Sequence, residues 1–379
     1  MEIWSEKCHT DFNYSNDNTS IPNRFQSQVQ ETLLITHLII AAIGFLSNVT
    51  VCLTILTKIS LLKKSSNRLI FFLSINDTLT CCMFLVIPNN YVTLVQYPYP
   101  YPRGRISGPI FCALIASEYL FWASAYTSSY IISLLSFERA FMTLRPFSYS
   151  KIFTSQRINY MLILLVIFSL CISLRIPFNI KFVSTSKEPC LWLRTDMNNV
   201  FELTLFLSIF LIRFMLPMSV TCISSSYLVY RIRKLRRTIT TFNSGFSNTN
   251  NTLIVLNHRY LGIRFRKSLR FSVTPTSRGD RKNPNYASRS NIDDSRKRRL
   301  TWMIIITIMI SSICWIPSEI AYFFAKIEML PYHNIAILIT RTLVILNAAI
   351  NPIIYISFSR HYRKLFVNKF INFFRCSCC

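Results

Sequence analysis

Seven runs of apolar residues, each broken by few charges, recur along the chain at roughly 33–58, 68–95, 109–142, 157–182, 200–231, 300–325 and 333–357. About 20 such residues cross the ~30 Å hydrocarbon layer of a bilayer as an α-helix. Inside lipid no water pairs with a stray N–H or C=O, so each run must close its own backbone hydrogen bonds, and helices are expected. Only 6 glycines, none at a close repeat, argue against a barrel or fibrous alternative. With 51% hydrophobic and 15% charged residues the chain is too apolar for an ordinary soluble domain. The expected fold class is therefore an all-α membrane protein, a seven-helix transmembrane bundle.

The net charge of +26 would suit a nucleic-acid binder, so its distribution decides. Of the 42 Lys and Arg, four fall in 58–68, four in 139–157, eighteen in 231–299 and five in 360–375, the loops that share one side of the membrane. That asymmetry is the positive-inside pattern, and with seven spans it puts the N-terminus outside and the C-terminus in the cytoplasm. Positive charge then reads as topology and contact with anionic membrane lipid, with no nucleic-acid partner. The organisation expected is an extracellular tail at 1–32, a transmembrane domain at 33–357, and an amphipathic eighth helix with a cytoplasmic tail at 358–379. A basic stretch at about 236–296, rich in Ser, Thr and Asn, lacks a core-forming pattern and is expected as a disordered cytoplasmic loop.

The segments outside the spans carry modification signals. Asn13 and Asn18 open Asn-x-Ser sequons and are expected to be glycosylated on the outer face. No basic start leads into a short apolar core, so no cleaved signal peptide is expected. Tyr97 to Pro102 alternates Tyr and Pro and reads as a stiff outer loop. Cys52, Cys81, Cys82, Cys171, Cys222 and Cys314 fall in the spans, where a thiol is a small apolar side chain. Cys8, Cys112 and Cys190 fall on the oxidising face and are free to pair. Cys376, Cys378 and Cys379 follow the basic-aromatic stretch from Phe358, the setting of palmitoylation.

Charges inside apolar runs cost a few kcal/mol each unless paired or wet. Glu138 and Arg139 close the third run, and are read either as interfacial charges snorkelling at a helix end or as a purposeful pair. The sequence Ser-Phe-Glu138-Arg139, with Pro146 seven residues after the arginine, resembles the Asp/Glu-Arg-Tyr motif of rhodopsin-like (class A) G-protein-coupled receptors, with Ala140 replacing the tyrosine. The other spans follow that family's order. Asn48 lies in a Ser-Asn-x-x-Val sequence, Asp77 in Leu-Ser-x-x-Asp, Pro217 in the fifth span, and Cys314-Trp315-Ile-Pro317 is similar to the Cys-Trp-x-Pro hinge. Asn347 precedes Asn351-Pro352-Ile-Ile-Tyr355, a full match to Asn-Pro-x-x-Tyr. Ser225 stands where the fifth span's tyrosine is expected, and Ser311 where the sixth span usually has Phe.

The resemblance covers roughly 33–375 without the long loop, and it implies a receptor that takes an extracellular ligand and activates heterotrimeric G proteins, with arrestin as a further partner, at the plasma membrane as a multi-pass protein. It implies a switch at Glu138, Arg139, Trp315, Pro317, Asn351, Pro352 and Tyr355, and a sodium or water network at Asn48, Asp77, Asn347 and Asn351. The plain alternative for Asp77 is a carboxyl carried neutral. It also implies a bond from Cys112 to Cys190. Cys112 lies 27 residues before Arg139, two more than the family spacing, so either the helix bulges or Cys112 sits in the preceding loop. Beyond a possible sodium at Asp77, no metal or cofactor is expected.

Rival classes lack their marks. A transporter shows internal repeats or broken midplane helices, and none is apparent; a retinal protein needs a lysine in the seventh span, which has none; no metal spacing, nucleophile elbow or phosphate loop suggests an enzyme. An amine receptor would carry an aspartate five turns before Arg139, where Phe121 and Trp122 stand. The motif style looks like that of peptide receptors, so a neuropeptide or peptide hormone is the expected ligand and a lipid or other small anion the alternative. Candidate pocket residues are Glu118, Phe121, Trp122, Arg213, Trp315, Glu319 and Arg341. Arg341 lies nearly three turns, about 15 Å, beyond Asn351, and Glu319 about one turn beyond Trp315, so they are expected at similar depth. Arg341 is then read either as the ion-pair partner of Glu319 or as the captor of a ligand carboxylate.

Overall fold

The computed structural model describes residues 24–87, 101–186, 189–193, 199–246, 284–326, 335–358 and 363. Seven of its helical segments are long and apolar enough to cross a membrane: Glu31–Leu56, Ser65–Leu85, Ser107–Leu144, Ser155–Phe178, Val200–Arg231, Ile305–Ala325 and Ile335–Ser357. Their main helices are α1 (Arg24–Leu56), α2 (Ser65–Leu85), α3 (Tyr119–Leu144), α4 (Ser155–Ser173), α5 (Leu216–Phe246), α6 (Pro284–Lys326) and α7 (Ile335–Phe358). Thr154 caps α4 by accepting from the Arg157 N–H, and Pro146 opens the short helix Pro146–Ile152 that follows α3, where its missing N–H costs nothing.

Helix α3 runs through the middle of the bundle and packs against α2, α4, α5, α6 and α7. Its small residues Ala123, Ser124, Ala125, Thr127, Ser128, Ser133 and Ser136 are all buried, and such residues let neighbouring backbones approach closely where lipid supplies no hydrophobic drive between helices. Helix α4 instead turns Ile163, Leu164 and Ile167 outward, as a lipid-facing helix does. Helix α1 packs on α2 and α7 around Gly44, where a Cβ would stand 2.8 Å from Cys81 Sγ and 2.9 Å from Ala349 Cβ.

The interior is layered. One apolar cluster joins Val51, Leu73, Ile131, Ile308, Ile354 and Tyr355; a second, richer in aromatics, joins Ala41, Phe84, Phe121, Tyr126, Trp315 and Ile345. Along every contributing helix the buried polar residues Asn48, Asp77, Ser128, Ser311 and Asn351 fall between the members of the two clusters. The core is thus apolar, then polar, then aromatic.

The two-residue excess before α3 appears as a bulge. The helix Ser107–Phe111 widens into a π turn, Cys112–Ala116, and Glu118 then takes a left-handed backbone (φ 63) before α3 begins. A π turn absorbs an inserted residue without ending the helix. Cys112 is disulfide-bonded to Cys190, with Cα atoms 5.3 Å apart. Cys190 starts strand β2 (Cys190–Trp192), antiparallel to β1 (Ile180–Phe182), with Phe182 opposite Cys190.

Three boundaries differ from expectation. The fourth span gives way to strand by Ile180 instead of staying helical to 182. The second span's helix ends at Leu85. Helix α5 continues to Phe246 and α6 starts at Pro284, so both ends of the stretch expected to be disordered at 236–296 are helical; a helix already nucleated in the bundle propagates cheaply into adjoining sequence. Asn13, Asn18, Cys376, Cys378, Cys379, most of the stretch at 358–379 expected to hold an eighth helix, and most of the Tyr97–Pro102 loop lie outside the described residues.

Candidate functional site

Four charges meet at the disulfide end of the bundle. Arg213 sits in a second π turn, Leu211–Met215, which precedes α5 and turns the guanidinium inward. It contacts Glu319 of α6 at 3.1 Å, with side chains 7% and 2% exposed. Tyr126 of α3 donates its hydroxyl to the other Glu319 oxygen at 3.3 Å, and the guanidinium lies over the Tyr126 and Tyr322 rings at 4.6 and 5.0 Å. The second pair is Arg341 of α7 with Glu118, at 2.6 Å and with side chains 18% and 11% exposed. Trp122 Nε1 donates to Glu118 Oε2 at 3.1 Å, and Arg341 lies over the Phe84 and Phe121 rings at 5.3 and 5.8 Å. Cation–π contacts of this kind strengthen when desolvated. Trp122 stacks on Tyr126, which packs against Trp315 with centroids 5.4 Å apart, so the two pairs share one aromatic wall.

Of the two readings of Arg341, the pairing with Glu319 is not the one found, since each residue has another partner. The bulge before α3 carries Glu118 to Arg341, and Arg213 occupies Glu319 from the other side. All seven candidate pocket residues are described, and Glu118, Phe121, Trp122, Arg213, Glu319 and Arg341 form two charged clusters, with Trp315 beneath Tyr126. Tyr126, Tyr322 and Phe84 belong to the same site but carry no charge or motif that would single them out of a chain with 30 Phe and 18 Tyr.

The polar layer centres on Asp77. Ser128 donates to Oδ1 at 2.5 Å and Asn351 Nδ2 to Oδ2 at 2.7 Å, so the carboxylate ties α2 to α3 and α7. Asn48 donates to the Gly44 and Ala348 carbonyls, both at 2.9 Å, bracing α1 against α7. Ser311 donates to Asn347 Oδ1 at 2.7 Å, linking α6 and α7 with a hydroxyl where the family resemblance led one to expect a phenyl ring. Asn48 Oδ1, Asn351 Oδ1 and Ser74 Oγ are buried and have no hydrogen-bond partner. One carboxylate among spare hard oxygens fits a small hard cation or water and offers no soft ligand.

At the opposite end Glu138 is fully buried, accepting from Ser66 Oγ at 2.9 and 3.0 Å and from the Tyr149 hydroxyl. Arg139 Nε stands 3.3 Å from Glu138 Oε2 but lacks hydrogen-bond geometry, so charge alone holds it there. Burial and the neighbouring Glu138 carboxylate push the Tyr149 phenol up to about 12, which keeps it a proton donor through the physiological range. Tyr149 and Ser66 went unnoticed in the sequence because neither is near Glu138 along the chain in a recognisable spacing.

Seven apolar helices around a layered polar interior define a multi-pass membrane protein. Residues 47–355 match the family model of the 7 transmembrane receptor (rhodopsin family), and the chain belongs to that family. No curated protein matches it.

Proposed function

We propose that the chain is a plasma-membrane receptor, N-terminus outside, that binds an extracellular peptide at the disulfide end and activates heterotrimeric G proteins at the Arg139 end. The observation that supports it best is the placement of two guanidinium–carboxylate pairs at one end and the Glu138–Arg139 pair at the other. Tyr126, Trp315, Ser311, Asn347, Asn351 and Asp77 lie between them as buried aromatic and polar side chains.

On this reading Arg341 captures a ligand carboxylate through the planar fork of its guanidinium. Pro317 within α6 and Pro352 within α7 each remove a backbone hydrogen bond, and the helices shift at these points. Arg139, held only by charge, leaves Glu138 and meets the G protein, or arrestin in its turn. The four residues directly before the sixth span, Arg296, Lys297, Arg298 and Arg299, are basic and stand where an acid would restrain Arg139, with Asp293 and Asp294 about a turn further out, so basal activity is appreciable. A sodium ion, when bound at Asp77 with Ser128 and the spare Asn351 oxygen, would stabilise the carboxylate; the side chains themselves fasten α2, α3 and α7 together. Asn13 and Asn18 are glycosylated, Cys376, Cys378 and Cys379 are palmitoylated, and the basic loops face anionic lipid.

The test compares two activities in the same membranes. Expressed in vesicles with purified heterotrimeric G proteins, the chain is expected to accelerate guanine-nucleotide exchange without solute flux or current. Flux without exchange would overturn the receptor reading in favour of a transporter.

A further inference from the structure

The two charged pairs differ in a way that bears on the ligand. Arg213 and Glu319 are sealed, at 7% and 2% exposed, whereas Arg341 and Glu118 keep 18% and 11% of their surface. Each member of the more open pair also has a second hold. Arg341 lies over the Phe84 and Phe121 rings, and Glu118 accepts from the Trp122 indole. Both charged heads therefore stay in place when their mutual contact is broken. Arg341 spends Nη2 on Glu118, while its Nε is buried with no acceptor, so a carboxylate arriving here finds two donors where Glu118 uses one. Glu118 is the one non-glycine residue with a left-handed backbone among the described residues. Strain of this sort persists where the surroundings enforce it, and it clusters at ligand sites.

The four charges sum to zero, which sets the chemistry of an occupant. A plain anion that took Arg341 would leave the buried Glu118 with one neutral donor, and a plain cation would orphan Arg341; an unpaired buried charge is strongly unfavourable. A group bearing both signs replaces both contacts at once. Resting on the receptor reading above, we infer that Glu118 and Arg341 form an exchangeable pair that a zwitterionic group opens, its carboxylate going to Arg341 and its cation to Glu118. Two sources share this chemistry: the basic C-terminal residue of a peptide with a free carboxylate, and a free amino acid. The deeper Arg213–Glu319 pair stays closed and backs the aromatic wall.

The probes are four random hexapeptide pools, ending in Arg free acid, Arg amide, Leu free acid or Leu amide, and a mixture of free amino acids. They are applied to the full-length chain in membranes with nucleotide exchange as the readout. The Arg-acid pool is expected to act at concentrations at least tenfold lower than the other three pools, with the response lost in Glu118→Gln and in Arg341→Gln. Activity of the free amino acids alone keeps the chemistry and assigns the smaller source. Equal potency of the Leu-acid and Arg-acid pools, or of the amides and acids, overturns the inference, as does silence of every probe. Wild-type responses decide the matter even where a variant fails to reach the surface. Basal exchange without any probe, and its loss in Arg139→Ala, report separately on the receptor reading.

Discussion

At the scale of single residues the polar side chains sort by how their charge is met. Glu138 takes its hydrogen bonds from Ser66 and Tyr149 and leaves Arg139 a contact of charge alone. Hydrogen bonds to charged groups contribute roughly 1.5–3 kcal/mol, so Tyr149→Phe should lower thermal stability by about that much, and the loss should shrink when Glu138 is already Gln. The sign of its pH dependence follows from the raised phenol. Neutral Tyr149 donates in the folded protein up to about 12, above its ordinary value of 10. Its contribution is thus complete below pH ~10 and disappears between there and pH ~12, leaving the pH 6–9 range flat for this pair. Arg213→Gln should cost about 3–5 kcal/mol, because it strands Glu319 at 2% exposure, while Arg213→Met combined with Glu319→Met should recover most of the loss in a melting experiment on detergent-solubilised protein.

At the scale of elements, backbone irregularities place the charges. The spacing of Cys112 from Arg139 announced two surplus residues, but sequence could not say whether loop or helix absorbed them. A π turn and left-handed Glu118 absorb them, and that rotation gives Arg341 its partner. Of the two readings open for Arg341, the pairing with Glu319 gives way for the same reason: depth along α6 and α7 follows from residue count, whereas the partners that take these charges, Glu118 and Arg213, are presented by π turns that residue count does not show. The spans and the inward placing of Asp77 were legible because lipid forces charges and polar groups into few arrangements, while Asn351 and Cys112 were legible through the motifs of the family the chain resembles. Tyr126, Tyr149 and Ser66 were not, since hydroxyls and rings are common in apolar runs. Helix packing makes its own prediction. A Cβ at Gly44 would press on Cys81 and Ala349, so Gly44→Ala should destabilise the α1–α2–α7 contact by about 1–3 kcal/mol, read as a lower melting temperature with the fold retained.

For the molecule as a whole, the disulfide and the layered core join the two ends. Cys112–Cys190 fastens the β1–β2 hairpin to the start of the third span, 78 residues apart in sequence. Cys112→Ser should cost about 2–4 kcal/mol and reduce surface expression, and peptide mapping of the wild type without reductant should recover the two cysteines linked. Below that end the aromatic cluster, the Asp77 layer and the apolar plug around Tyr355 follow one another as buried layers between the two ends. Whether these layers end in a G-protein switch rests on Arg139. The decisive measurement is guanine-nucleotide exchange by purified heterotrimeric G protein on membranes holding equal surface amounts of wild type and Arg139→Ala. The wild type should accelerate exchange and the variant should fall to the rate of empty membranes; equal acceleration by both would contradict the account.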